Sequence, residues 1–148
     1  MGDRTQIGFY YDKEDRMNEY QALIYRSTCD QEYFVNEVIP FLEWWAKSRR
    51  LNDPEYCAAR LIQYLCNRDD AYRATWSKYT KEAVDNGFTG MVGFGVSSGI
   101  DAIPGDVTCF YRINPGEILV YKVDGKLPRS NSKPVQVLSF DASGMENL

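Results

Sequence analysis

The chain has 148 residues, a formal net charge of −4 and 44% hydrophobic residues, which is the size and composition of one folded domain spanning residues 1–148. The acidic balance argues against a grip on nucleic acid, which needs clustered Lys and Arg. Histidine is absent, which excludes a Ser-His-Asp triad, a Cys-His dyad and a His-ligated metal. No apolar run approaches 18 residues, so we expect no membrane span, and the polar start predicts a cytoplasmic protein.

The first predicted elements are two strands joined by a charged loop. Residues 5–11 alternate between the two faces of a strand, and residues 19–26 do the same on the way back. Residues 12–18 between them form a charged loop that is expected to be solvated. The pattern favours an antiparallel hairpin.

Residues 32–65 predict two amphipathic helices in tandem, around which the fold is organised. Pro40 lies inside the first, so we expect one kinked helix. Asp53, Pro54 and Glu55 are typical of the start of the second, because they supply a cap, a fixed φ and a negative charge at the positive end of the dipole. The apolar positions at helical spacing are Phe34, Val35, Val38, Ile39, Phe41, Leu42, Trp45, Ala58, Leu61, Ile62 and Leu65.

A third helix is predicted over 72–83. Tyr72, Trp76, Tyr79 and Ala83 lie at i, i+4, i+7 and i+11, and Gly87 can supply the left-handed residue that ends the helix. The polar residues 67–70 before it could interrupt the second helix.

The late part of the chain predicts strands at 90–96, 106–113 and 117–123, with a short further strand at 135–140 and a flexible tail at 141–148. The order is β-β-α-α-α-β-β-β. We therefore predict an α+β domain in which an antiparallel sheet of about five strands, built from both ends of the chain, has the helices packed on one face.

The four cysteines are scattered without a CxxC pair, so we expect reduced, buried thiols and neither a metal site nor a cofactor.

Two groups of residues raise the alternative of a small enzyme, either a hydrolase or a nucleotide-processing protein. The glycine-rich run 93–99 is similar to a phosphate loop, but it lacks the full spacing and no helix pattern follows it. Asp101 and Asp106 flank a loop beside strand ends, where a carboxylate pair could perform acid–base work. Most carboxylates in loops form turns or caps, which favours a structural role for this pair.

Aromatic residues indicate a binding surface. Tyr25 and Tyr111 lie on predicted strands, and Trp44 is adjacent to Trp45, so one of the two indoles is expected at the margin of the core. Tyr, Trp and Arg dominate interface hot spots.

Four short motifs resemble a family of small proteins from phage, prophage and other mobile or archaeal genomic settings. They are Gly2-Asp3-Arg4, Phe41-Leu42 with Trp45, Asp53-Pro54-Glu55-Tyr56, and Gly105-Asp106-Val107 with Tyr111. The resemblance implies a mobile-element accessory protein, and it carries no established activity. A His-x-Asp-Gly segment common in such proteins is replaced by Ser27-Thr28-Cys29-Asp30.

From these patterns we predict a non-enzymatic protein that binds a macromolecule, with a protein as the partner. An inhibitor or regulator of a host system would fit, and a homo-oligomer stays open. The candidate binding residues are Trp44, Tyr111, Asp106, Asp101 and Tyr25.

Overall fold

A computed structural model describes residues 4–26, 31–47, 53–73, 78–87, 94–97 and 107–142. Six strands and three helices lie in these ranges. Their bounds are β1 Arg4–Phe9, β2 Ala22–Arg26, α1 Gln31–Lys47, α2 Pro54–Arg73, α3 Lys78–Asp85, β3 Phe94–Val96, β4 Val107–Asn114, β5 Glu117–Lys122 and β6 Gln136–Ser139.

The six strands form one mixed sheet in the order β3-β2-β1-β4-β5-β6. β1 pairs with β4 in parallel, and every other neighbouring pair is antiparallel. The α+β class is confirmed, but the predicted sheet of about five antiparallel strands is wrong in its strand count and in the direction of this central pair. Between β1 and β4 the chain passes through β2, the three helices and β3, and such a long connection lets β4 run beside β1 in the same direction.

One face of the sheet packs against α1 and α2. Both Phe41 on α1 and Leu61 on α2 are buried, as expected of helices that cover a sheet built from both ends of the chain. Their periodic apolar faces remove a continuous layer of side chains from water, which is the main stabilising term of the fold. The buried members of this core are Ile7, Phe9, Ile24, Val38, Phe41, Leu42, Trp45, Ala46, Cys57, Ala58, Leu61, Leu65, Tyr111, Ile113, Ile118, Val120 and Phe140.

The helix starts and ends confirm part of the prediction. The Asp53 carboxylate accepts from the amide of Tyr56 at 3.0 Å, and Pro54 is the first residue of α2. Pro40 lies inside a single helix, and Gly87 has a φ of 80° two residues after α3.

The boundary between α2 and α3 differs from the prediction. α2 continues through residues 67–70 to Arg73, because polar residues that are neither Gly nor Pro do not break a helix. Tyr72 therefore belongs to α2, and α3 is a separate helix of eight residues.

The second face of the sheet carries a smaller apolar cluster. Its buried members are Tyr10, Leu23, Phe110 and Tyr121, and Met17 from the connection between β1 and β2 packs on it. This connection was expected to be solvated throughout. Its charged residues are exposed or half-buried, but Met17 brings the segment back across the sheet.

The cysteines are not all free. Cys57 and Cys66 are buried and form no disulfide, whereas Cys109 is disulfide-bonded, so the expectation of reduced cysteines is wrong for Cys109. Burial, with a smaller contribution from Asp53, raises the pKa of Cys57 to about 12. A disulfide is typical of an oxidising compartment, and the cytoplasmic location stays a prediction. None of the helices in the described ranges has the length and apolarity that crossing a bilayer requires.

The end of the described chain is tied to the fold. Phe140 belongs to the core, and the amide of Asp141 donates to a carboxylate oxygen of Glu43 at 2.9 Å. The predicted flexible tail otherwise lies largely outside the described residues.

Candidate functional site

The five residues predicted for binding do not converge on one place. Trp44 is 62% exposed on α1, whereas Tyr111 is 1% exposed in the core under the helices. Tyr25 is half-buried on the second face of the sheet. Asp101 and Asp106 lie outside the described residues.

Tyr111 is a core residue and not part of a binding surface, so its predicted role is wrong. Successive residues of a strand point to opposite faces. In β4 this places Tyr111 and Ile113 towards the helices, and Phe110 towards the second face.

The ring of Tyr25 covers the backbone of β3. Tyr25 pairs with Gly95 across the antiparallel strands, and a β carbon added at Gly95 would overlap this ring. The guanidinium carbon of Arg4 lies 5.0 Å from the ring centroid. The missing side chain at Gly95 therefore lets the tyrosine of the neighbouring strand pack directly on the backbone.

Trp44 lies at the outer edge of an aromatic cluster, and we call this part of the molecule the Trp44 surface. The Trp44 ring centroid lies 6.2 Å from that of Phe41 and 6.4 Å from that of Trp45. Phe41 in turn contacts Tyr64 of α2 at 5.4 Å between centroids. Adjacent helical residues point about 100° apart, which buries Trp45 and leaves Trp44 in solvent. The rings of Phe41 and Trp45 therefore support the exposed indole of Trp44 from the side of the core.

A second feature, which the sequence patterns had not indicated, is a groove on the second face of the sheet. We call it the basic groove. Its floor contains Leu119 and Tyr121 of β5, and its walls are the segments 13–18 and 125–132. The groove has a volume of about 860 Å³. It is on the opposite side of the sheet from α1, so it is separate from the Trp44 surface.

The groove concentrates positive charge in an acidic protein. Among the described residues, five Lys and Arg side chains line it, against one acidic side chain, Asp15. The cationic residues are Lys13, Arg16, Arg112, Lys126 and Arg129. Four of the five are exposed, and Arg112 is buried.

Arg112 ties the connection between β1 and β2 to the sheet. Its Nη2 donates to the carbonyl oxygens of Asp12, Lys13 and Asp15 at 3.1, 3.3 and 2.7 Å. Its Nε donates to Oδ1 of Asn114 at 2.8 Å. The segment therefore folds back over the sheet because a buried guanidinium gathers its carbonyl oxygens.

Two tyrosines complete the surroundings of Arg112. The guanidinium carbon lies 4.0 Å from the centroid of the Tyr10 ring, a cation–π contact. Gly8 makes room for this ring, because a β carbon there would lie 2.9 Å from both Tyr10 and Phe110. Burial raises the pKa of Tyr10 and of Tyr121, and the charge of Arg112 only partly opposes it. Both phenols are therefore neutral at pH 7 and add no negative charge beside the guanidinium.

The described part of the chain gives Arg112 no carboxylate partner. Removing an ion from water is costly unless it is paired, and carbonyl oxygens and a ring offset this cost only in part. The basic groove thus has a buried cation at its back and four exposed cations on its walls.

The signals for this groove were weak in the sequence. An arginine among the apolar residues of the strand VTCFYRIN was visible, but nothing local indicated what it faces. The wall cations come from two segments more than a hundred residues apart, and only the pairing of β4 with β5 and the return of the early segment bring them together.

Comparison with protein-family models, with curated proteins and with solved structures finds no match for this chain. The resemblance to mobile-element proteins therefore stays a prediction. Within the described ranges, no group of three or more Cys, Asp or Glu side chains is arranged to hold a metal ion.

Proposed function

We propose that the protein acts by binding another protein through the Trp44 surface. The observation that carries the proposal is the 62% exposure of Trp44 on a cluster of aromatic rings. Tryptophan is the side chain most enriched in interface hot spots, and it buries a large apolar area with few rotatable bonds.

The position of Trp44 supports this proposal. Its contacts with Phe41 and Trp45 restrict the indole before any partner arrives, so little side-chain entropy is lost on binding. Such restriction favours affinity in the same way that preorganised aromatic anchors do elsewhere. A role as an accessory protein of a mobile element, directed at a host protein, is consistent with this mode of action.

The matched variants Trp44→Ala and Val137→Ala test the proposal. Val137 is also exposed, but it lies on β6 at the edge of the sheet, so its truncation removes apolar area without touching α1. Each purified protein is used for capture from a lysate of the native host, and the recovered proteins are identified and quantified. We expect one protein to bind the wild type and Val137→Ala stoichiometrically, and its binding to Trp44→Ala to fall at least tenfold, which corresponds to about 1.4 kcal/mol.

Light scattering on the same samples covers the case in which the partner is a second copy of the chain. A dimer lost only in Trp44→Ala places the surface between protomers. Equal capture and equal mass for all three proteins would contradict the proposal.

A further inference from the structure

We propose that the basic groove binds a phosphorylated small molecule that carries an apolar or aromatic group, the chemistry of a nucleoside polyphosphate. This site is on the opposite face of the sheet from the Trp44 surface, and it does not depend on the proposed protein partner.

The first support is charge. Exposed cations lie on both walls, Lys13 and Arg16 on one and Lys126 and Arg129 on the other. Positive side chains gathered around one concave space repel each other, and a ligand with several negative charges offsets that repulsion. Arginine also binds phosphate through two parallel N–H donors.

The second support is Arg112, which is independent of the exposed cations. Its side chain is 4% exposed, lines the groove and has no carboxylate partner among the described residues. Nε donates to Oδ1 of Asn114, and Nη2 donates to backbone carbonyl oxygens of the connection between β1 and β2, so the guanidinium is fixed in place before a ligand arrives. A preorganised and partly desolvated cation attracts an anion more strongly than a mobile one in water.

The third support is the shape and the floor of the groove. A volume of about 860 Å³ lies within the usual range for small-molecule sites. Beside the cations, the lining contains the apolar side chains of Met17, Leu119, Leu127 and Pro128 and the ring of Tyr121. Such a floor favours a planar or apolar group, and the cationic walls favour the phosphates. An inorganic anion would contact the cationic walls but not the apolar floor.

Titration calorimetry on the full chain tests the proposal with three probes. ATP carries both features, tripolyphosphate carries the charge alone, and adenosine carries the aromatic group alone. We expect ATP to bind at one site per chain. Tripolyphosphate should bind at least about tenfold more weakly than ATP, and adenosine should show no binding. ATP affinity should fall as the salt concentration is raised from about 50 to about 500 mM, because salt screens the attraction of exposed wall cations for phosphate.

Charge reversal on the walls separates this groove from general electrostatic attraction. Arg16→Glu and Lys126→Glu should each weaken ATP binding about tenfold or more. The matched control is Lys122→Glu, because Lys122 is exposed and next to Tyr121, but alternation places it on the other face of β5. The control should leave affinity within about twofold of the wild type, and thermal unfolding of all variants checks that they are folded.

Three results would overturn the proposal. They are the absence of ATP binding, equal losses in Lys122→Glu and in the wall variants, and tight binding of a Glu-rich peptide without binding of ATP. The last result would assign the groove to an acidic segment of a protein instead. None of these results bears on the capture experiment with Trp44→Ala, so the two proposals fail separately.

Discussion

Individual residues in this protein are placed by their neighbours as much as by their own chemistry. Tyr25 and Tyr111 are both tyrosines on strands of one sheet, yet one covers a glycine and the other is buried under helices. Trp44 and Trp45 are adjacent, and only the first is exposed. The alternation of a strand and the 100° step of a helix decide each case.

At the residue scale, the contact between Tyr25 and Gly95 leads to a prediction. Gly95→Ala should lower the free energy of unfolding by about 1–3 kcal/mol, because the new β carbon overlaps the Tyr25 ring and forces it to move. In the double variant Tyr25→Ala/Gly95→Ala the ring is gone. Its decrease in the free energy of unfolding should therefore be smaller than the sum of the decreases in the two single variants. Urea unfolding of the four proteins measures this coupling, and simple additivity would contradict the contact.

At the scale of elements, the connection between β1 and β2 is the part whose structure depends most on a distant residue. Local turns shape it, such as the amide of Asp15 donating to the carbonyl of Asp12 at 3.1 Å. Its position over the sheet depends on Arg112, which is about a hundred residues away in sequence. One wall of the basic groove therefore depends on a residue of β4.

Arg112→Met should release this wall without unfolding the sheet. The loss of several charge-assisted hydrogen bonds to the connection is expected to cost about 2 kcal/mol locally. Hydrogen exchange followed by mass spectrometry should show faster exchange in residues 12–19, with little change in β5. The control Lys122→Met removes an exposed cation of β5 and should leave exchange in residues 12–19 unchanged. Unaltered exchange in Arg112→Met would contradict the anchoring role.

At the scale of the whole molecule, local patterns predicted most elements and missed how they are assembled. Periodic apolar residues located α1 and α2, and the Asp53-Pro54 start was correct because capping is a local interaction. The parallel pairing of β1 with β4 joins residues about a hundred positions apart, and no local signal encodes it. The basic groove was missed for the same reason, since its walls meet only after the sheet is assembled.

β4 divides the molecule into two faces, with Tyr111 towards the helices and Arg112 towards the groove. A slip of one residue in the pairing of β4 would exchange these faces, and both the core and the groove would be lost. The most direct test is the backbone register of β1 and β4, measured by nuclear Overhauser effects in an isotope-labelled sample. We expect parallel contacts that pair Ile7 with Tyr111 and Phe9 with Ile113. Contacts that place Arg112 opposite Ile7, or that join these strands in antiparallel fashion, would contradict the account.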